Sequence, residues 1–138
     1  MDAVIERELL VRAPVERVWR IITEPAYVAR WFGDHVEIDA RPGGAAVFGW
    51  SEYGEFAARV ERVEPPRVFA FRWMRASGVP YAPAGVWTLV EFTLSPADGG
   101  TRLRLVESGF TEEAHVKENS GGWEAELADL VAYAEAAG

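Results

Sequence analysis

Residues 119–135 read NSGGWEAELADLVAYAE. Trp123, Leu127, Leu130, Val131 and Ala134 recur there at i, i+4, i+7, i+8 and i+11, the spacing of one helix face. Just upstream, Thr111 can cap a helix, and Glu112 and Glu113 suit the positive end of its dipole. Asn119-Ser120-Gly121-Gly122 is expected to kink or restart that helix. A helix with one apolar stripe must bury it against another element. The fold therefore turns on whether the rest of the chain offers an apolar surface.

It does, in segments of period two. Val36 and Ile38 suggest a short strand, and ARPGG a turn. Ala46, Phe48 and Trp50 then alternate with Val47 and Gly49. SEYGE turns the chain into a strand over 55–64, and VEPPR breaks it, because prolines cannot continue a ladder. In RVFAFRWM, Phe69, Phe71 and Trp73 share one face. After the loop ASGVPYAPAG, Val90, Phe92 and Leu94 share a face of WTLVEFTL. SPADGGT has hairpin chemistry, and Leu103 and Leu105 alternate with Arg102 and Arg104 on the return. One face is aromatic and aliphatic. The other carries Arg59, Glu61, Arg72, Arg102 and Arg104, as in an antiparallel sheet with one solvated side.

The N-terminal part adds a strand within 3–12 and two short helices. Pro14 suits a helix start, and Val15, Val18, Trp19 and Ile22 make an amphipathic stripe. Pro25 opens the second helix and Gly33 ends it. The expected architecture is α+β: a curved antiparallel sheet of about six strands wrapped around a long C-terminal helix, with two short helices after strand one. It fills residues 1–138 as a single domain.

At 138 residues the chain buries roughly 68% of its extended surface, enough to stand without staples. It has no cysteine, so disulfides and thiolate metal sites are excluded. MDAVIERELL has no apolar core of a secretory signal. The uncharged stretch from Ser77 to Val90 is broken by Pro80 and Pro83, so no membrane span is expected. A cytoplasmic protein is the expectation. With a net charge of −8 and scattered Lys and Arg, neither nucleic acid nor an anionic membrane is an expected partner. His35 and His115 lie far apart without ligand spacing, so no metal is expected, and no other cofactor is.

Four segments carry a family resemblance. APVERVW with TEPAYVARWFG is similar to A-P-x-x-x-V-W and T-D-P-x-x-x-x-x-W-W. VERVEPPRVFAFRW is similar to V-x-E-x-x-P-P-x-x-L-x-F-x-W, and DGGTRLRLVESGF to G-T-x-L-x-L-x-x-x-G-F. NSGGWEAELADLVAYAE is similar to N-x-x-G-W-x-x-x-L-x-x-L. In this order they resemble the SRPBCC superfamily of START-like, helix-grip proteins, in the branch related to the activator of heat-shock-protein-90 ATPase. Glu24 stands where aspartate is usual, Phe32 where a second tryptophan is, and Glu107 where many relatives have histidine. The resemblance implies a cavity between sheet and C-terminal helix that takes lipids, hormones, polyketides or other hydrophobic molecules. The eukaryotic activator engages its chaperone through an additional N-terminal domain, for which this chain has no room, so that activity is not carried over.

Aromatic side chains offer large contact area with few rotors, for packing and for flat ligands alike. Trp19, Phe48 and Phe92 are assigned to the core. Trp31, Phe32, Trp73, Phe110 and Trp123 fall near segment ends, where a grip fold would open, and are the candidate cavity wall. Phe56, Phe71, Trp87 and Leu127 join them as ligand-binding candidates. Glu107 continues the Leu103, Leu105 alternation, so it either points inward and needs a partner or lies at the strand's end in water. Arg62 would pair with it if the strand bulges around 60–63.

Three functions are open. The first is a binding module for a small, mostly hydrophobic, aromatic or lipid-like ligand, with Glu107 giving direction. The second is a cofactor-independent enzyme of cyclase or hydrolase type with Glu107 as acid or base. It lacks a second catalytic partner, and no G-x-S-x-G surrounds any serine. The third is a protein-interaction or chaperone-cofactor-like module, with a homodimer among its forms.

Overall fold

Period-two alternation builds seven strands, and the apolar stripe of the tail closes them. The computed structural model describes residues 3–136. The order is β1 (Ile5–Val11), α1 (Val15–Thr23), α2 (Pro25–Val28), β2 (His35–Ile38), β3 (Ala45–Trp50), β4 (Gly54–Glu64), β5 (Val68–Met74), β6 (Trp87–Ala97), β7 (Gly100–Ser108) and α3 (Glu113–Ala136). All neighbours are antiparallel, in the spatial order β1-β7-β6-β5-β4-β3-β2. This is the expected helix-grip fold with one more strand than the sheet of about six. The extra member is β1, which joins the far edge beside β7, from Ile5 opposite Glu107 to Val11 opposite Thr101.

The inward set is the one the alternation gives. Phe69, Phe71 and Trp73 of β5, Thr88, Val90, Phe92 and Leu94 of β6, and Leu103, Leu105 and Glu107 of β7 are all buried. Trp123, Leu127, Leu130 and Ala134 of α3 are buried with them. Each such aliphatic or aromatic side chain contributes about 1.5–3 kcal/mol over its exposed state. Outside, Arg102 pairs with Glu8 and Arg104 with Glu6 across the β1–β7 seam. Both pairs are exposed, so each contributes little.

Two local expectations change. α3 runs from Glu113 to Ala136 without a break, so the helix does not restart at Gly121-Gly122. β4 does bulge, with a register shift between Val60 and Arg62. The extra residue turns Arg62 outward, where it pairs with Glu64 and not with Glu107.

Candidate functional site

Glu107 is fully buried, and every polar contact it makes is with a donor. Trp73 Nε1 donates to Oε2 at 2.9 Å and Thr88 Oγ1 to the same oxygen at 2.6 Å. Trp123 Nε1 donates to Oε1 at 2.8 Å, and Asn119 Nδ2 reaches both oxygens at 2.9 and 3.0 Å. Arg75 Nη1 stands 4.0 Å from Oε2. Strand pairing explains the gathering, since Trp73 lies opposite Thr88 and Glu107 opposite Val90, all inward-facing. α3 brings Asn119 and Trp123 one turn apart from above. A carboxylate accepts about four hydrogen bonds, so these donors occupy it.

Beside this node the seam between sheet and helix opens into a cleft of about 190 Å³. Its walls are Phe32 from the turn after α2, Trp50 and Tyr53 from the β3–β4 hairpin, Phe56 of β4, and Trp73 and Arg75 at the end of β5. Glu118, Asn119, Gly122, Trp123 and Glu126 of α3 complete it. Behind the opening the rings are in mutual contact. Phe32 stacks on Trp123 with centroids 5.0 Å apart and planes 5° from parallel, and Trp50 meets Phe32 edge-on at 5.0 Å. The seam is filled along most of its length and open at one end.

Four of the expected residues, Phe32, Phe56, Trp73 and Trp123, come together on this cleft. The other six do not line it. Trp31 is core, its Nε1 donating to the Ile21 carbonyl at 2.9 Å and its ring edge-on to Phe92. Phe71, Phe110 and Leu127 are buried within the packed core. Trp87 lies on the outer face, under the Arg72 guanidinium at 4.5 Å, as its offset of one from inward Thr88 requires. Glu107 sits behind Trp73 and Trp123, without exposure to the cleft.

Sequence reasoning passed over Trp50, Tyr53, Arg75, Glu118, Asn119, Gly122 and Glu126 as lining residues. Trp50 carried a signal, because it continues the inward alternation of Ala46 and Phe48. Asn119 and Gly122 sat in the motif NSGGW without a spatial assignment.

The charges here are arranged unevenly. Arg75 is largely buried, and its Nη2 donates to Asn119 Oδ1 at 3.0 Å. Its Nε is buried without a partner. Burial weakens the guanidinium's hold on its proton, while Glu107 and Glu118 act the other way. Glu126 is half-buried, and burial, with Asp129 nearby, raises its carboxyl to about 7. At neutral pH it sits between its two protonation states.

The family model described as Activator of Hsp90 ATPase homolog 1-like protein matches residues 12–135. Among solved structures the chain is similar to MLL2253 from Mesorhizobium loti, at 25% identity and a TM-score of 0.82, covering 94% of each chain. It is similar to CalU16 from Micromonospora echinospora at 31% identity and a TM-score of 0.71, covering 94% of this chain and 73% of that one. DynU16, a protein of the dynemicin biosynthetic locus, is 27% identical with a TM-score of 0.82. That match covers 98% of this chain and 48% of DynU16, so the chain spans about half its length. No curated protein matches the sequence. No helix among the described residues is long and apolar enough to cross a membrane.

Proposed function

Since this chain belongs to the Activator of Hsp90 ATPase homolog 1-like family, we propose that it is a binding module whose cleft holds a small, mostly apolar molecule of one or two rings. The observation that carries this reading is a ring-lined opening of about 190 Å³ in an otherwise filled seam. Drug-sized ligands occupy pockets of roughly 300–1,000 Å³. A long acyl chain or a fused polycycle is therefore too large for this cleft. The position of DynU16 in a biosynthetic locus agrees with a fold used on small organic molecules.

Binding is favoured over Glu107 catalysis by what surrounds that carboxylate. A general acid or base must come within hydrogen-bond reach of the proton it moves. Glu107 would first have to leave the donors of Trp73, Thr88, Asn119 and Trp123. An interaction surface is the weaker reading, because no observation identifies what would cover the exposed large apolar side chains Val4, Leu10, Tyr27, Tyr53, Val79 and Val86.

A ring that buries roughly 150 Å² at about 25 cal/mol per Å² gains about 4 kcal/mol, a dissociation constant near a millimolar before directed contacts add to it. Calorimetric titration with one-ring, two-ring and long-chain apolar compounds tests the size limit. Rings should bind and long chains should not. Trp50→Ala should weaken ring binding at least tenfold while the protein melts cooperatively. A folded protein that takes none of the ring compounds would sink the reading.

A further inference from the structure

The cleft pairs aromatic walls with an acidic rim, and Arg75, the cation in its wall, is already engaged. Trp50, Tyr53, Phe56, Trp73 and Trp123 supply the rings, and Glu118 and Glu126 the rim. Aromatic faces attract cations through the ring quadrupole, and clusters of them suit ammonium groups whose methyl surface is poorly hydrated. An anion would need Arg75, which does not present a free edge to it. Its Nη2 is held by Asn119, its Nη1 faces Glu107, and its Nε is buried. In the cleft wall itself, the guanidinium of Arg75 stands with the two carboxyls of Glu118 and Glu126.

We propose that the preferred occupant of this cleft is a small organic cation, an ammonium carrying methyl or methylene groups, enclosed by Trp50, Tyr53 and Trp123 and balanced by Glu118 and Glu126. The inference rests on the binding-module reading and adds the charge of the ligand to it. It also accounts for a half-buried carboxyl in a mostly apolar wall, which costs desolvation and has no assigned ion-pair partner among the described residues. A bound cation would supply that partner.

The surroundings of Glu126 give the pH dependence. Asp129 and Glu118 lie on its own helix, Arg75 stands across the cleft, and Arg30 and Asp34 face it over a shallow groove on the other side. With its carboxyl near 7, Glu126 is mostly neutral at pH 6 and mostly charged at pH 8. Cation binding should therefore strengthen across that interval and release a proton near its middle.

Three probes of one shape separate charge from size: choline, its neutral isostere 3,3-dimethylbutan-1-ol, and the anion 3,3-dimethylbutanoate. None of them titrates between pH 6 and 8. At pH 8 choline should bind at least tenfold more tightly than the alcohol, about 1.4 kcal/mol, and the anion most weakly. The gap should narrow toward pH 6, and Glu126→Gln should remove the pH slope. If the alcohol or the anion binds as well as choline, the cation inference falls and the cleft reading stands. The same holds if none of the three binds while ring compounds do. If neither set binds, both fall.

Discussion

Glu107 and Glu126 share Trp73 and Trp123 as neighbours, yet the two carboxyls are in contrasting states. Glu107 touches the N–H ends of the indoles, is shut off from solvent, and has its oxygens filled by four side chains. Glu126 lies along the cleft that the same rings line, half-buried and shifted toward its neutral form. A buried carboxylate surrounded by donors joins β5, β6, β7 and α3 into one rigid piece. A half-buried carboxyl without such donors keeps its capacity for something else. The proposal for the cleft rests on this difference, on hydrogen-bonding capacity left unfilled beside open space and not on burial alone.

The largest test of this contrast is Glu107→Ala. Removing the acceptor strands the buried N–H of Trp123, leaves Trp73 with Thr88 Oγ1 alone and takes the carboxylate from beside the largely buried Arg75, and breaking such a buried charged network costs about 3–5 kcal/mol. Urea unfolding should show that loss. Glu107→Gln should cost less, since one oxygen remains, although its amide brings donors against donors. A loss near 1 kcal/mol for Glu107→Ala would mean that water fills the node, and the contrast would fail.

Helix α3 offers a smaller and sharper test. A Cβ added at Gly121 or Gly122 meets nothing within 4 Å. Glycine in a helix interior costs about 1 kcal/mol relative to alanine, so Gly121→Ala and Gly122→Ala should each stabilise by up to that amount. Only Gly122 lines the cleft. Ligand titrations should therefore weaken for Gly122→Ala and stay unchanged for Gly121→Ala. Equal effects on binding would remove Gly122 from the cleft wall.

The smallest effect belongs to Glu126 and stability. Its folded carboxyl lies at about 7 against an ordinary 4.5, so the folded state binds more protons between those values. Stability from this group is then full below pH 4.5 and is lost as pH rises through 7. Solvent screening at a half-exposed position keeps the change small. Thermal melts should show Glu126→Gln close to the parent at pH 4 and more stable at pH 8. A parent that gains on this variant as pH rises would reverse the sign and contradict the shift.

Much of the inner surface could be read before any coordinates. The Leu103, Leu105 alternation pointed Glu107 inward unless the strand frayed, and its complete burial decides between the two; the same rule, applied from Val90 and Phe92, puts Trp87 outside. Trp87 does not line the cleft because its offset of one from Thr88 puts it on the outer face. Leu127 shares the stripe of Trp123 but is buried in the core one turn further along α3. α3 is long, and only its Glu118–Glu126 stretch borders the opening. Glu126 carried no signal at all, because a position flanking a helical stripe meets solvent or cleft depending on what lies across from it.

By itself the sequence determined the two periodicities, and with them a one-faced sheet and a striped closing helix; for Glu107 it left two outcomes, inward or at the strand's end in water. Period is a local property, set by how successive side chains project from strand or helix. Tertiary structure alone decided that β1 pairs with β7, that four distant residues converge on Glu107, and that the seam opens beside Trp50 and Glu126. Those outcomes depend on how the β3–β4 hairpin, the end of β5 and the middle of α3 settle against one another. That is a matter of non-local packing, which no local spacing encodes.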